Sequence, residues 1–389
     1  MYLFANSEHE GTFSFPVPAS DFAKEVDWMY SFIFWVALFF FVVINTLMVY
    51  FVVKYRRKGN QKPEKSPSHH MALELAWTIL PSFLLVYMFV QGAFGYLNMT
   101  TPPEAARSVE RTIDVRAFKY GWQFIYPDGN ITTELHLAKD VPVRFRIKAS
   151  DALHSFYIRE FRIKMDCVPG RYTECWVTPR MTRTPDECVT INADGLMTKG
   201  AKEPFHLQCA EYCGEGHSQM RTEWKDNGDG TGVWRLPVYV HDCSFDELVK
   251  YTKWKEGEYS RWANGKHYYD TLGCSGCHAL ENQPQKLGPN FKASNWENGG
   301  ITREFTNAPP TRYTENYVRE SINYSTKKIV KGYPAQMPKF EINDERLSFL
   351  IDFMKSPLEE KTKTLVKDLS KEDPEKSKSG DPKAEPEKK

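Results

Sequence analysis

An uncharged apolar run from residue 29 to residue 53 constrains this chain more than any other feature. A helix needs about 20 such residues to cross the hydrocarbon core of a bilayer. A buried helix of a soluble protein is the alternative, and the length of the run disfavours it. A second apolar stretch at residues 76–97 contains one proline, Pro81, which a membrane helix tolerates where neighbours satisfy the freed carbonyl. The sequence predicts a transmembrane helical hairpin at residues 28–99, with spans at about 28–53 and 71–97.

The segment between the two runs is basic and sets the orientation. It contains six lysines and arginines, namely Lys54, Arg56, Arg57, Lys58, Lys62 and Lys65. Short loops rich in these residues stay in the cytoplasm. Residues 1–27 and everything that follows the hairpin are therefore predicted to be extracytoplasmic. The first residues have no basic n-region, so we expect no cleaved signal peptide.

Three regions with different residue patterns follow the hairpin. Residues 100–242 alternate β-branched and aromatic residues with turn signals such as Asn227-Gly228-Asp229-Gly230, which is typical of an all-β sandwich or barrel. Residues 243–357 have apolar residues at the spacing of helices, which predicts an all-α domain. Residues 358–389 are mostly Lys, Glu, Asp, Ser and Pro, which predicts a disordered charged tail. The fold class is thus a multidomain membrane protein.

The net charge and the positions of the cysteines limit the classes of function that the chain can have. The chain carries 51 basic and 50 acidic residues, so it lacks the basic excess of a nucleic-acid binder. It has eight cysteines. Four lie in motifs typical of metal or haem sites, and the others are Cys167, Cys175, Cys188 and Cys243. An extracytoplasmic location permits disulfides among these.

Soft metal ligands cluster on one short segment. Residues 209–220 read CAEYCGEGHSQM, in which the thiolates, imidazole and thioether are those of Cys209, Cys213, His217 and Met220. This set selects copper over hard cations. A disulfide or a structural zinc site is the alternative, and the thioether argues against zinc. A second imidazole would have to come from elsewhere, and His154 at the start of a predicted strand is the candidate, although an isolated histidine is more often structural.

The same segment closely resembles the dinuclear copper (CuA) motif of cytochrome c oxidase subunit II. Three further segments match that family in order, namely Leu73–Pro81 (LELAWTILP), Leu153–Phe156 (LHSF) and Lys164–Arg171 (KMDCVPGR). The resemblance implies a cupredoxin-like domain in which Cys209 and Cys213 bridge two coppers. His154 and His217 would be terminal ligands, and Met220 and the carbonyl of Glu211 weak ligands. It also implies that the Glu211 carboxylate reaches a magnesium or manganese ion, and that Glu74 lies at the entrance of a proton channel. Otherwise Glu74 is an ordinary charge at a helix end.

Two departures from the family stand out. The interval between His154 and Cys209 is longer than usual, and the excess is expected between residues 178 and 203. Cys175 and Cys188 flank part of it, which suggests a disulfide that pins an inserted loop. The region where electrons enter usually reads Trp-aromatic-Trp, whereas here Tyr120-Gly121-Trp122 occupies it.

A second redox motif lies further on. Residues 274–278 read CSGCH, in which Cys274 and Cys277 can add to haem vinyl groups while His278 binds iron. A thioredoxin-like or zinc CxxC is the alternative. Met337 is the predicted second axial ligand, His267 is a weaker rival, and Met354 fits the core face of a helix. Leu287-Gly288-Pro289 resembles the loop that braces the histidine in class I cytochromes c. The order of domains resembles the caa-type oxidases.

These patterns predict the electron-input subunit of a respiratory haem–copper oxidase in a bacterial inner membrane. Electrons would pass from a c-type cytochrome or another donor through haem c and the copper pair to subunit I. That subunit would reduce oxygen, with proton translocation coupled to it, and subunit III and lipid are further expected partners. Alternatives are a tethered module of a nitric oxide or other reductase, a structural subunit with vestigial sites, and a quinol oxidase homologue. The complete ligand set disfavours the last two.

Overall fold

The computed structural model describes residues 11–12, 15–57, 59, 68–192, 196–226, 228–278, 288–291, 300–340 and 342–355. The predicted tail, Lys58, Lys62, Lys65 and Leu287 lie outside these residues. Two long apolar helices open the fold, α1 (Ala23–Lys54) and α2 (Met71–Thr100), and both are long and apolar enough to cross a membrane. They begin or end a few residues beyond the predicted spans. Pro81 lies inside α2 without ending it.

The N-terminus of α1 is bound to the domain that follows the hairpin. Arg162 donates from Nε and Nη2 to the carboxylate oxygens of Asp27, at 2.7 and 2.9 Å, and from Nη2 to the carbonyl of Pro16. The side chains of Arg162 and Asp27 are only 5% and 18% exposed. Phe22 packs edge-on against Trp176 with ring centroids 4.6 Å apart. The N-terminal end of α1 is therefore held directly against the domain that follows the hairpin.

Two five-stranded sheets form that domain, and they confirm the predicted β-sandwich. The first has the order β3-β2-β1-β5-β8 and the second β4-β14-β11-β6-β7. The strands of the first are β1 (Thr112–Phe118), β2 (Gly121–Ile125), β3 (Ile131–Thr132), β5 (Val143–Ala149) and β8 (Thr173–Val177). Those of the second are β4 (Leu135–Ala138), β6 (His154–Ile158), β7 (Ile163–Cys167), β11 (Phe205–Cys209) and β14 (Pro237–His241).

The core lies between the two sheets. Trp122, Phe145, Phe156 and Leu207, which are fully buried, belong to one continuous apolar cluster drawn from both sheets. Pairing is antiparallel except for β1 with β5 and β4 with β14. A parallel pair needs a crossover connection, so these two pairs link distant parts of the chain.

Smaller elements decorate the sandwich. The long interval after β8 contains α4 (Pro185–Cys188) and a hairpin of β9 (Val189–Ile191) and β10 (Met197–Lys199). A second hairpin joins β12 (Glu223–Asp226) to β13 (Gly232–Arg235). The short helix α3 (Glu104–Arg107) follows the membrane hairpin.

The predicted Cys175–Cys188 disulfide is wrong, because both cysteines have free thiols. Cys175 lies on the edge strand β8, where the neighbouring thiol that influences it is that of Cys167. The backbone carbonyl of Cys188 instead accepts a hydrogen bond from Trp234 on β13. The inserted segment is held by this contact and by its own hairpin rather than by a covalent bridge.

The helical region has a core of its own. Its helices are α5 (Phe245–Thr252), α6 (Arg261–Thr271), α7 (Cys274–Cys277), α8 (Glu315–Asn323) and α9 (Asp344–Lys355). Gly265 allows α6 to approach α9 closely, since a Cβ there would collide with the carbonyl of Phe349. A short hairpin of β15 (Thr302–Arg303) and β16 (Thr311–Arg312) adds strand to a region predicted as helical throughout. Phe245 and Leu248 of α5 pack in the sandwich core, so that core extends past the expected boundary at residue 242.

Replacing Arg162 by Gln should destabilise the protein by about 3–5 kcal/mol, because it leaves the largely buried Asp27 carboxylate without its partner. The measurement is thermal unfolding of the detergent-solubilised chain. Arg180→Gln is the matched control, since Arg180 pairs with Asp140 where both side chains are half exposed. Exposed pairs contribute only about 0–1 kcal/mol. Equal effects of the two substitutions would contradict the anchoring role of Arg162.

Candidate metal centres

Strand pairing brings the first cluster together. His154 opens β6 and Cys209 ends β11, and these strands pair with Cys209 opposite Phe156. The amide of Ala210 donates to the carbonyl of Ser155, and that of Cys209 donates to the carbonyl of Met220, which closes the loop. Ligand atoms of His154, Cys209 and Cys213 lie within 4.8 Å of one another, and all three residues are buried.

The cluster has two arms. In one, the sulfur of Cys209 lies 3.8 Å from Nδ1 of His154 and 3.1 Å from the carbonyl oxygen of Glu211. In the other, the sulfur of Cys213 lies 3.6 Å from Nδ1 of His217 and 3.5 Å from the sulfur of Met220. Each arm thus has one thiol, one imidazole and one weaker donor. All of the residues that the sequence predicted for this site are brought together.

The protonation of the cluster follows from its burial and its hydrogen bonds. The thiol of Cys213 stabilises the thiolate of Cys209, so the pKa of Cys209 lies well below its ordinary value and that of Cys213 is raised. Burial lowers the pKa of His154, but hydrogen bonds with Asp151 and Cys209 outweigh it, and the net pKa is raised. A buried thiolate beside imidazole is the state that binds a soft metal ion.

Asp151 is a functional candidate that the sequence analysis missed. Its Oδ1 lies 2.8 Å from Nε2 of His154, so Nδ1 is the imidazole nitrogen that faces Cys209. Carboxylates commonly orient metal-binding histidines in this way. An acidic residue three positions before a predicted histidine ligand was the available signal.

Two aromatic residues adjoin the cluster. Trp122 is fully buried, with its ring centroid 6.4 Å from that of His154 and its Nε1 3.5 Å from the carbonyl of Met220. Tyr120 is 3% exposed and packs on the loop at Gly214 and Gly216, where side chains would collide with its ring or hydroxyl. Gly214 also has a φ of +132°, which L side chains rarely adopt. The loop therefore needs both glycines.

The second candidate centre is the CSGCH segment. Cys274 and Cys277 lie on the single turn of α7, and His278 follows it. Nδ1 of His278 lies 2.9 Å from the carbonyl oxygen of Pro289, and this contact orients the imidazole. The ring stacks on Phe291 with centroids 4.9 Å apart. These contacts suit the proximal side of a c-type haem.

The downstream candidates differ in their surroundings. Met337 lies at the border of the helical core and lines an open cleft of about 450 Å³ with Tyr324 and Lys339. Met354 packs against the same core, as its position in the helical pattern predicts. His267 stacks on Trp254 with ring centroids 4.2 Å apart, and burial lowers its pKa to about 3. That stacking gives His267 a structural role.

The two candidate centres lie on either side of one turn. Gly273 packs on Phe118, and the sulfur of Cys277 lies 3.8 Å from the carbonyl oxygen of Lys119. The side chain of Gln123 donates to the carbonyl of Thr271. The turn between β1 and β2 therefore lies between the CSGCH segment and the thiol cluster.

Two parts of the chain match models of known protein families. Residues 8–92 match the model of the cytochrome c oxidase subunit II transmembrane domain, and residues 129–185 match that of its periplasmic domain. Two segments of the chain are thus similar to the cytochrome c oxidase subunit II family, and homologues of this chain are named subunit 2. The second match includes His154 and ends before the Cys209–Met220 loop. A subunit II periplasmic domain implies a CuA centre, and His154, Cys209 and Cys213 form a cluster that could hold a metal ion.

Individual subunit II proteins resemble different lengths of the chain. A probable cytochrome c oxidase subunit 2 of Rickettsia bellii is 26% identical over 242 residues, which cover 56% of this chain and 81% of that protein. The cytochrome c oxidase subunit 2 of Alkalihalophilus pseudofirmus is 25% identical over 351 residues, covering 85% and 88%. The crystal structure of the periplasmic domain of subunit II of Bradyrhizobium japonicum is 18% identical and covers 41% of this chain and all of that one, with a TM-score of 0.28.

Copper should bind to the cluster of His154, Cys209 and Cys213 more tightly as the pH rises from about 6 to 8. The metal must displace the proton of Cys213, whose pKa is raised, and compete with the proton of His154, whose pKa is also raised. Each released proton corresponds to about a tenfold gain in affinity per pH unit. The measurement is competition of the reduced apoprotein with a copper chelator, and Cys213→Ser should lower the slope by about one proton. An affinity independent of pH would contradict this protonation scheme.

Proposed function

We propose that the chain is the electron-input subunit of a membrane-bound haem–copper oxidase that reduces oxygen to water, with proton translocation coupled to this reaction. Electrons from a c-type cytochrome or another donor would reach covalent haem c, then the CuA centre, and then the haem of subunit I. The two-armed arrangement of soft ligands around Cys209 and Cys213 is the observation that carries this proposal. In the described residues, the helices that could span a membrane are α1 and α2, so the oxygen-reducing site is assigned to subunit I.

At the copper centre, the residues of each arm would hold one ion. Cys209 and Cys213 would bridge the ions, and His154 and His217 would be the terminal ligands. Met220 would bind weakly beside Cys213, and the carbonyl of Glu211 beside Cys209, in agreement with the sulfur–sulfur and sulfur–oxygen distances. A bridged pair supplies one-electron transfer with little change of geometry. The buried surroundings of the thiols exclude water from the site.

At the second centre, Cys274 and Cys277 would attach haem c, and His278 and Met337 would be its axial ligands. A haem with methionine opposite histidine supplies an electron carrier of raised potential. Pro289 fixes the ring of His278 through Nδ1, and Phe291 supports its face. The Alkalihalophilus alignment covers more of this chain than residues 1–242 contain, so the similarity includes part of the helical region.

The remaining assignments concern partners and location. Subunits I and III, lipid and an electron donor are the proposed partners, in a bacterial inner membrane with both termini and both redox regions on the periplasmic side. The carboxylate of Glu211 would reach a magnesium or manganese ion shared with subunit I. Tyr120 and Trp122 would form the region where electrons enter the copper domain. Glu74 would lie at the entrance of a proton channel, although it also accepts a hydrogen bond from the amide of His70 at the start of α2.

The decisive experiment is the composition of the full chain, produced in a host that attaches haem c and supplied with copper. We expect one covalent haem and two coppers per chain, with one unpaired electron shared by the coppers in the electron paramagnetic resonance spectrum. Cys213→Ser should abolish the shared signal, whereas Cys243→Ser, at a cysteine outside the cluster, should preserve it. Haem together with zinc or a disulfide at Cys209 and Cys213 would reduce the protein to a tethered cytochrome and contradict the oxidase assignment.

Met337→Leu should lower the reduction potential of haem c by roughly 100 mV or more, within the ~0.8 V range that axial ligands span. The substitution removes the sulfur and conserves the volume of the side chain. Met354→Leu is the matched control and should leave the potential unchanged, because Met354 packs in the helical core. Spectroelectrochemical titration of both variants tests the assignment, and an unchanged potential in Met337→Leu would exclude Met337 as the ligand.

A further inference from the structure

A continuous set of contacts runs from the CSGCH segment to His154. The carbonyl oxygen of Lys119 contacts the sulfur of Cys277, at 3.8 Å. The amide of the same residue donates to Oδ2 of Asp151 at 2.7 Å. The other carboxylate oxygen of Asp151, Oδ1, lies 2.8 Å from Nε2 of His154. The backbone of one residue, Lys119, and one carboxylate therefore separate the two candidate centres.

Asp151 is held as a rigid bridge. Besides Lys119 and His154, the amide of Ala152 donates to it at 2.6 Å. Burial raises the pKa of its carboxyl group, but the hydrogen bonds from His154, Lys119 and Ala152 outweigh it, and the net pKa is lowered. The group is thus an anion that receives donors on both oxygens. A movement of Lys119 must move the carboxylate, and the imidazole of His154 must follow, because charge-assisted hydrogen bonds are short and directional.

The position of Lys119 depends in turn on α7. A Cβ on Gly276 would lie 2.8 Å from the amide nitrogen of Tyr120 and 3.4 Å from the carbonyl oxygen of Lys119. The helix therefore rests directly on this peptide. Attachment of haem would remove the hydrogen from the sulfur of Cys277, and the contact with Lys119 would persist as van der Waals packing.

We propose that Asp151 is a positioning residue that couples the seating of the CSGCH helix on the β1–β2 turn to the orientation of the copper ligand His154. The inference rests on the proposed function, since it takes His154 to be a copper ligand and CSGCH to be the haem attachment segment. Through Asp151, the orientation of the His154 imidazole at the copper centre depends on whether the helical domain is docked and on where it lies. It contacts neither metal nor haem itself.

Asp151→Asn isolates this role. An asparagine has the same size but only one acceptor oxygen, so it cannot accept from both Lys119 and His154. Loss of an orienting carboxylate lowers metal affinity by about 10- to 100-fold. Asp114→Asn is the matched control, because the carboxylate of Asp114 on β1 pairs with Arg146 on β5. The control should change neither copper affinity nor the copper spectrum.

The test is a double-mutant cycle in the full chain loaded with haem and copper. Gly276→Ala pushes the helix away from Lys119 without replacing any residue that would bind haem, so copper affinity should fall by about two- to thirtyfold. The copper hyperfine pattern should shift with it. In the Asp151→Asn background, the same glycine substitution should have no further effect. Gly257→Ala is the control on the helical side, since a Cβ there meets no atom within 4 Å.

Each outcome bears on a different proposal. Non-additive effects of the Gly276 and Asp151 substitutions on affinity and on the copper spectrum support the coupling. Additive effects, or an unchanged copper spectrum in Gly276→Ala, overturn it and leave the proposed function intact. A wild-type chain that takes up haem but no spin-sharing copper pair contradicts the proposed function itself.

Discussion

The pairing of β6 with β11 is the interaction on which the thiol cluster depends. It places His154 beside Cys209, although 55 positions separate them in the chain. The same pairing positions Ser155 to accept the amide of Ala210, which turns the loop back towards Met220. A slip of one residue would turn His154 to the other face of the sheet. The register is fixed by the buried apolar residues that lie two positions along each strand on the same face, above all Phe156 and Leu207.

The local part of the site could be predicted from the sequence, because its ligands lie within one short loop. The spacing of Cys209, Cys213, His217 and Met220 already limits which metal suits them, and the apolar runs indicate the membrane hairpin by length alone. The CSGCH segment is equally local. In such segments the residues that are close in sequence are also close in space. The chemistry of the site can therefore be predicted without knowledge of the fold.

The non-local part could not be predicted. Asp151 acquires its role only when the turn at Lys119 reaches it, and Arg162 meets Asp27 across 135 positions of the chain. The expected Cys175–Cys188 bridge failed for the same reason, because flanking a segment in sequence does not bring two thiols together in a sandwich. Cys175 lies on an edge strand, whereas Cys188 ends a helical turn beside another hairpin.

The ion pair at the start of α1 has a mechanical consequence. At about 1.5 Å per residue, the 32 residues of α1 extend about 48 Å, whereas the hydrocarbon core is about 30 Å thick. Part of the helix therefore extends beyond the hydrocarbon core. Arg162 binds the β-sandwich to this part of the helix through Asp27. If the tilt of α1 changes, for example in a thicker bilayer, the β-sandwich must rotate together with the helix. The membrane as well as the protein therefore determines how far the thiol cluster lies from the bilayer surface and how the cluster is oriented.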